Sequence, residues 1–144
     1  IYVHLQTTGV NRTLRQAARL RHNNFEVQDN KLFEALMGNY MLGMMFRVGQ
    51  AVTVADEKRR SEKPVILCGD FNDVPYSYVY NTMLGNMVDG FKECGSGLMY
   101  TMRDSKKPVR IDYIFHDQSL KGLSYYRGEL TTSDHFPVFM KIAL

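Results

Sequence analysis

Residues 65–73 have the sequence Val65-Ile66-Leu67-Cys68-Gly69-Asp70-Phe71-Asn72-Asp73. The first four are apolar without alternation, which is typical of a short strand that is buried on both faces of a sheet. Because side chains alternate along an extended segment, Asp70 and Asn72 can point to one side while Phe71 turns into the core. A carboxylate beside a carboxamide can accept a proton from a water that the amide holds. The same residues also favour an ordinary turn, so this segment alone predicts a turn and a hydrolytic site equally.

A long amphipathic helix is predicted before this strand. Apolar residues recur at three- and four-residue steps between residues 33 and 55, as on one face of a helix. Asp29 or Asn30 can cap its start, and Pro64 stops it near Ser61. We expect the apolar stripe to pack against a sheet, and an exposed groove for a partner is the alternative. The stripe contains the methionines Met37, Met41 and Met44.

The remaining apolar segments predict a mixed sheet. Strands are expected over residues 1–6, 109–115, 122–130 and 137–143, and a short helix over 13–21. A strand, two helices, a second strand and then several strands in succession predict the α/β class, with the long helix packed on one face of the sheet. A length of 144 residues corresponds to one domain or less.

The composition excludes a disordered tail and leaves the compartment open. The chain is 44% apolar and 23% charged, with a formal net charge of +3, so it can bury a core. Two cysteines are too few for a cysteine metal site. A basic run predicts a solvated helix face, with a rim that attracts phosphates as the alternative. The run consists of Arg12, Arg15, Arg19 and Arg21.

No transmembrane run or signal peptide is visible in the sequence. The chain opens at Ile1 within an alternating strand pattern. We therefore expect a fragment of a longer protein, in which any targeting segment would lie upstream, and the sequence makes no prediction of localisation.

Two further segments place polar groups at strand ends. Asp112 lies in the apolar segment Arg110-Ile111-Asp112-Tyr113-Ile114-Phe115, and a buried carboxylate needs a partner. Asp134 and His135 precede the last predicted strand, where a carboxylate can keep the imidazole protonated and can help to bind a divalent metal. The structural alternatives are an aspartate bonded to backbone and a surface turn.

The other histidines carry weaker signals. His4 is a lone imidazole in an apolar strand, and by itself it would be a satisfied core residue. His22 and His116 have no polar neighbours of this kind, and both are expected at the surface.

Together the four segments resemble the endonuclease/exonuclease/phosphatase superfamily, the metal-dependent phosphoesterases related to pancreatic DNase. That family carries an N-x-H-L-like strand, a G-D-F-N motif, an [RK]-I-D-Y strand and a terminal S-D-H-x-P-V. The corresponding segments occur here in the same order, as Val3-His4-Leu5, Gly69-Asp70-Phe71-Asn72, Arg110-Ile111-Asp112-Tyr113 and Ser133-Asp134-His135-Phe136-Pro137-Val138. The resemblance spans the chain and implies half of a four-layer α/β sandwich.

The resemblance implies a catalytic role for five residues. Asp70 would orient and deprotonate the attacking water, and Asn72 would position that water and the scissile phosphate. His135 would contact the phosphate while Asp112 holds and charges it. His4 would bind or polarise the phosphate from the opposite wall.

Metal and substrate contacts follow from the same resemblance. Asp134 would help to coordinate Mg²⁺, with Mn²⁺ as a substitute, and Arg110 would add a cation near the rim, with solvated packing on the strand as the alternative. The substrate would be a phosphate ester: a nucleic acid, a phospholipid head group or an inositol phosphate.

One departure from the family limits what this chain is expected to do. The first half of family members supplies an Asn and a metal-binding Glu, and nothing here occupies those positions. Residues 1–144 therefore resemble the C-terminal part of one catalytic domain. We expect the isolated chain to bind Mg²⁺ poorly, to hydrolyse little, and to self-associate through the sheet face that the missing half would cover. The competing interpretation is a non-catalytic interaction module that retains the fold.

Overall fold

The computed structural model of the chain describes residues 1–103, 108–130 and 132–143. Its elements follow the predicted order closely. They are β1 (Tyr2–His4), α1 (Val10–His22), α2 (Asp29–Arg60), β2 (Ile66–Asp70), α3 (Tyr78–Leu84), β3 (Val88–Asp89), α4 (Gly90–Cys94), β4 (Asp112–His116), β5 (Lys121–Arg127) and β6 (Val138–Ala143).

The predicted mixed sheet is present, and its pairing places three of the predicted residues at one edge. Four strands are arranged in the order β1-β2-β4-β3, and β5 pairs with β6 in a second, two-stranded sheet. β1 runs parallel to β2 with His4 beside Asp70, and β2 runs antiparallel to β4 with Asp70 beside Asp112. The ends of β1 and β2 therefore meet the start of β4.

An aromatic core fixes one face of this sheet. Leu67, Tyr113 and Phe115 are fully buried on it and pack with Phe71 and with Tyr80 of α3. The ring of Phe115 meets those of Phe71 and Tyr80 edge-on, with centroids 5.2 and 5.3 Å apart. Phe71 therefore turns into the core as predicted, and its neighbours Asp70 and Asn72 lie outside the core at the end of β2.

The apolar stripe of α2 does not pack as predicted. Met37, Met41 and Met44 are 47%, 52% and 36% exposed, so the expectation that they form core is wrong. The buried residues of α2 follow one another at four-residue steps and are mostly small: Gly43, Arg47, Ala51 and Ala55.

Close approach explains why small residues face the body. A Cβ at Gly43 would lie 2.7 Å from the carbonyl oxygen of Thr7, in the loop after β1. Bulkier side chains cannot occupy this contact, so the methionines lie on other faces of the helix. No helix in the described part of the chain has both the length and the apolar character that crossing a bilayer would require.

His116 is also placed differently from the sequence prediction. It is fully buried, and its Nε2 lies 2.8 Å from a carboxylate oxygen of Glu93 in α4. The expectation of a surface histidine is wrong because nothing in the residues around His116 indicates that α4 brings a carboxylate to the end of β4. His22 is exposed, as predicted.

Candidate active site

Asp70 and Asn72 form one hydrogen-bonded unit at the end of β2. Asn72 adopts a left-handed backbone conformation, with φ +50°, which asparagine tolerates better than most residues. Its backbone N–H donates to Oδ1 of Asp70 at 2.7 Å, and its side-chain amide donates to Oδ2 at 3.0 Å. The amide also donates to the Leu5 carbonyl at 2.9 Å, which ties the unit to the end of β1.

Two imidazoles face the same carboxylate. Nδ1 of His135 donates to Oδ2 of Asp112 at 2.9 Å, and its Nε2 lies 4.0 Å from Oδ2 of Asp70. Nε2 of His4 approaches that oxygen to 3.6 Å from β1. Five predicted residues from four segments of the chain thus meet at one edge of the sheet.

The surroundings raise the pKa of Asp70 and the pKa of His135. Burial raises the pKa of Asp70 above its usual range, and the nearby Asp112 charge adds to this. The Asn72 N–H and the two imidazoles lower that pKa, but by less. For His135, burial lowers the pKa, but the hydrogen bond and charge of Asp112, with Asp70 and Asp134, raise it above its ordinary value. The first shift makes Asp70 a stronger base, and the second favours a charged imidazole.

The cluster opens into a cavity of about 660 Å³ and contains a possible cation site. Ligand atoms of Asp70, Asp112 and His135 all lie within 4.8 Å of one another. The cavity wall includes these groups together with His4 and the N-terminal part of α1.

Comparison with known proteins assigns the chain to a family. The sequence profile of the Endonuclease/Exonuclease/phosphatase family matches residues 14–135. The chain belongs to this family. A search of the curated proteins found no match.

Solved structures of similar proteins support the same assignment. The mannosyl-6-phosphatase of Bacteroides thetaiotaomicron is 28% identical with a TM-score of 0.58, and the match covers 69% of this chain and 46% of that one. A family protein from Bacteroides vulgatus is 26% identical with a TM-score of 0.60 over 69% of this chain and 44% of that one. The human nocturnin catalytic domain shares the fold at 24% identity and a TM-score of 0.54, over 68% and 41% of the two chains.

These matches define how much of a family protein the chain represents. It spans less than half the length of each of these solved structures. Family membership and the phosphatase among these neighbours support a phosphoesterase type of function.

Two of the predicted site residues, Asp134 and Arg110, lie outside the cluster of side chains around Asp70. Asp134 lines the cavity, but it is exposed and its carboxylate is not within the 4.8 Å group in the described residues. Arg110 is 6% exposed, and its guanidinium binds both carboxylate oxygens of Asp89 at 2.9 and 2.7 Å. The rim position expected for Arg110 is therefore not what the structure has, because a buried acid on β3 takes the cation. The alternative of solvated packing on the strand is also wrong, because the side chain is buried.

Thr101 is a supporting residue that sequence reasoning missed. Its buried hydroxyl accepts hydrogen bonds from the backbone N–H groups of Ile111 and Asp112, at 3.0 and 3.1 Å. Its carbonyl accepts from the N–H of Phe136 at 2.7 Å. Thr101 thus links the start of β4 to the segment that carries His135. A single threonine in a loop gives no local signal of this role.

Arg47 is a second missed residue, and it fixes the loops on the α2 side. Its buried side chain donates to the Gln6 carbonyl at 3.3 Å, and its Nε lies 3.5 Å from Oδ2 of Asp73. The segments after β1 and β2 are thereby anchored to α2. An arginine within a helical pattern is normally assigned to the solvent face, which is why sequence reasoning did not select it.

Proposed function

We propose that this chain carries the catalytic groups of a metal-dependent phosphoesterase, which hydrolyses a phosphate ester with an activated water. The observation that carries the proposal is the convergence of His4, Asp70, Asn72, Asp112 and His135 on one cavity. Two carboxylates, a carboxamide and two imidazoles at a sheet edge supply the base, the positioning group and the cations that this reaction needs.

Asp70 is the proposed base. Its Oδ2 faces the cavity between the two imidazoles, and its raised pKa lets it hold a proton taken from water more readily than a solvated aspartate would. Asn72 keeps the carboxylate in one orientation through two hydrogen bonds. The attacking water is therefore activated at a fixed position.

His135 and His4 are the proposed phosphate contacts. Asp112 accepts the Nδ1 proton of His135, which leaves Nε2 directed toward Asp70 and the cavity. An imidazolium held in this way donates a hydrogen bond to a phosphate oxygen and stabilises its charge. His4 is 62% exposed at its side chain and reaches the same space from β1.

The donor set fits a hard divalent cation. Asp70 and Asp112 provide carboxylate oxygens, which Mg²⁺ and Mn²⁺ both accept. His135 is not counted as a ligand here, because the imidazolium that contacts phosphate has no free lone pair. Asp134 is the proposed further ligand from the cavity wall. A bound cation would neutralise charge on the phosphate in the transition state. Two clustered carboxylates are few for Mg²⁺, so we expect weak metal binding and slow turnover by this chain alone.

A panel of phosphate esters tests the proposal. The assay uses this chain and the full-length product of its gene, with Mg²⁺, Mn²⁺ or EDTA. Substrates are DNA, a chromogenic phosphodiester, sphingomyelin, an inositol phosphate and mannose phosphate, the last because of the similar phosphatase. Metal-dependent hydrolysis of at least one ester by the full-length protein is expected. No hydrolysis under any condition would favour the non-catalytic interaction module.

A further inference from the structure

We propose that Arg12 and Arg15 of α1 bind a second phosphate group of the substrate. The natural substrate would then carry two phosphates, of which the cluster at Asp70 hydrolyses one. This inference rests on the proposed function and narrows its substrate class. A small bisphosphate and an oligonucleotide share this chemistry, and the test below distinguishes them.

The two arginines share a cavity with the catalytic cluster. Both line the space of about 660 Å³ that also contains Asp70 and His135. They are three residues apart on α1, which puts them on the same face of the helix. A ligand that reaches Asp70 therefore lies in the same space as two guanidinium groups.

Both α1 and the loop that precedes it are held against α2. Asn39 donates to the Thr13 hydroxyl at 2.7 Å, and the Gln6 N–H donates to the side chain of Gln50 at 2.9 Å. The Gln6 carbonyl also accepts from Arg47. The arginines thus extend from a helix that is held beside the site.

No carboxylate in the described part of the chain neutralises these two arginines. Within the described residues, neither Arg12 nor Arg15 has a carboxylate oxygen within 4.0 Å, whereas Arg21 on the same helix pairs with Asp29. The basic run on α1 was open to two interpretations, a solvated helix face or a rim that attracts phosphates. Of its four arginines, only Arg12 and Arg15 line the cavity in the described structure. The run is therefore divided between a phosphate-facing part and a solvated part.

Phosphate is the ligand class that this arrangement favours. Guanidinium groups bind phosphate oxygens through paired hydrogen bonds. Besides the two imidazoles, the cavity carries the carboxylates of Asp70, Asp112 and Asp134, so the two arginines offset negative charge that would oppose an anion. Its size matches small ligands, which suits a sugar bisphosphate or a dinucleotide. A single phosphate bound at His135 would leave the arginine pair without a role.

Binding in EDTA tests the inference without turnover. Calorimetry compares a hexose bisphosphate with the hexose monophosphate, and a thymidine dinucleotide with and without a terminal phosphate. The proteins are the wild type, the double variant Arg12→Gln/Arg15→Gln and the matched control Arg19→Gln. We expect the wild type and the control to prefer the doubly phosphorylated ligand by about tenfold, or about 1.4 kcal/mol. The double variant should lose this preference.

The pattern of results separates the possible failures. A preference for the hexose pair alone indicates a small bisphosphate, and a preference for the dinucleotide pair alone indicates a nucleic acid. Equal affinity for one and two phosphates, or equal losses in Arg19→Gln and the double variant, would overturn the inference. An Arg12→Lys/Arg15→Lys variant should recover part of the preference, and circular dichroism checks that each variant folds. Arginine-dependent binding without hydrolysis by the full-length protein would reject the proposed function alone.

Discussion

Asp70 joins the chemistry of the site to its local structure. The carboxylate is largely buried and is oriented by Asn72, whose left-handed backbone lets both of its N–H groups face back toward Asp70. Burial raises the pKa of Asp70, so the charged form carries an energetic cost that a purely structural residue would have no reason to keep. This combination predicts opposite effects of substitution on activity and on stability.

Asp70→Asn should abolish hydrolysis without lowering stability. Loss of a general base costs about 10²–10⁴ in rate, whereas the asparagine removes a disfavoured buried charge and can still accept from the Asn72 N–H. The measurements are kcat for the full-length protein with Mg²⁺ and the melting temperature. Glu62→Gln, which also neutralises a carboxylate but at an exposed position, should leave both unchanged. Full activity in Asp70→Asn would mean that another group activates the water.

The pair of His135 and Asp112 should make stability depend on pH. Since the folded-state pKa of His135 is raised, its contribution is complete below the unfolded value of about 6.5 and is lost as pH rises through the folded pKa. The free energy of unfolding in EDTA should therefore fall as pH rises across the neutral range. Asp70, whose pKa is also raised, acts in the same direction from lower pH.

The variant Asp112→Asn tests how much His135 contributes to the pH dependence of stability. This variant removes the charge that holds the His135 proton, so its stability should change less steeply with pH over the neutral range. His22→Gln, an exposed histidine on α1, should keep the wild-type slope. Urea unfolding at a series of pH values gives the slopes. Identical slopes for the wild type and Asp112→Asn would contradict the argument.

At the scale of elements, the sequence predicted which helices and strands form, and their order, better than which face of a helix is buried. Helix α2 ends beside Ser61, as Pro64 indicates, and the strands follow their apolar segments. It begins at Asp29, slightly earlier than predicted, because Gln28 and not Asp29 or Asn30 is its N-cap. The cluster around Asp70, for which we propose catalysis, could be predicted because its residues lie at strand ends, where local sequence carries the signal. The buried side of α2 could not, because Gly43, Arg47 and Ala51 are selected by contacts with distant loops rather than by apolar periodicity.

The same distinction explains which site residues were missed. Thr101 and Arg47 act through hydrogen bonds to segments that are remote in the chain. Arg110 was expected near the rim because its motif adjoins Asp112, but only the folded chain brings Asp89 to it. Long-range partners of single polar residues leave no pattern in one sequence.

Glycines on α2 provide a matched test of its packing. Gly43→Ala should destabilise the protein by about 1–3 kcal/mol, because the new methyl group would lie 2.7 Å from the Thr7 carbonyl and the backbone must move. Gly49→Ala, with nothing within 4 Å of the added Cβ, should stabilise the helix by about 0.5–1 kcal/mol. Urea unfolding measures both values. Equal effects of the two changes would show that α2 does not approach the loop after β1.

At the scale of the whole molecule, apolar surface remains uncovered in the described chain. The sheet face opposite the aromatic core carries Cys68 and Ile114, which are half-buried beside a cavity of about 380 Å³. The exposed part of α2 is more extensive. Its stripe consists of Phe33, Met37, Tyr40, Met41 and Met44 at helical spacing, each at least 36% exposed. Contiguous apolar surface of this kind is uncommon on soluble monomers.

We therefore predict that the 144-residue chain self-associates through the α2 stripe. A second copy can bury the same stripe symmetrically, since two antiparallel helices present equivalent apolar faces to each other. Light scattering coupled to size-exclusion chromatography should give a mass above 16.6 kDa, and the double variant Phe33→Glu/Met41→Glu should return the chain to that mass. Leu98→Glu, at a position that is 98% exposed and off the stripe, serves as the control and should leave the larger mass unchanged. A monomeric wild type would contradict the prediction, and a larger mass that persists in the double variant would move the contact to the sheet face at Ile114.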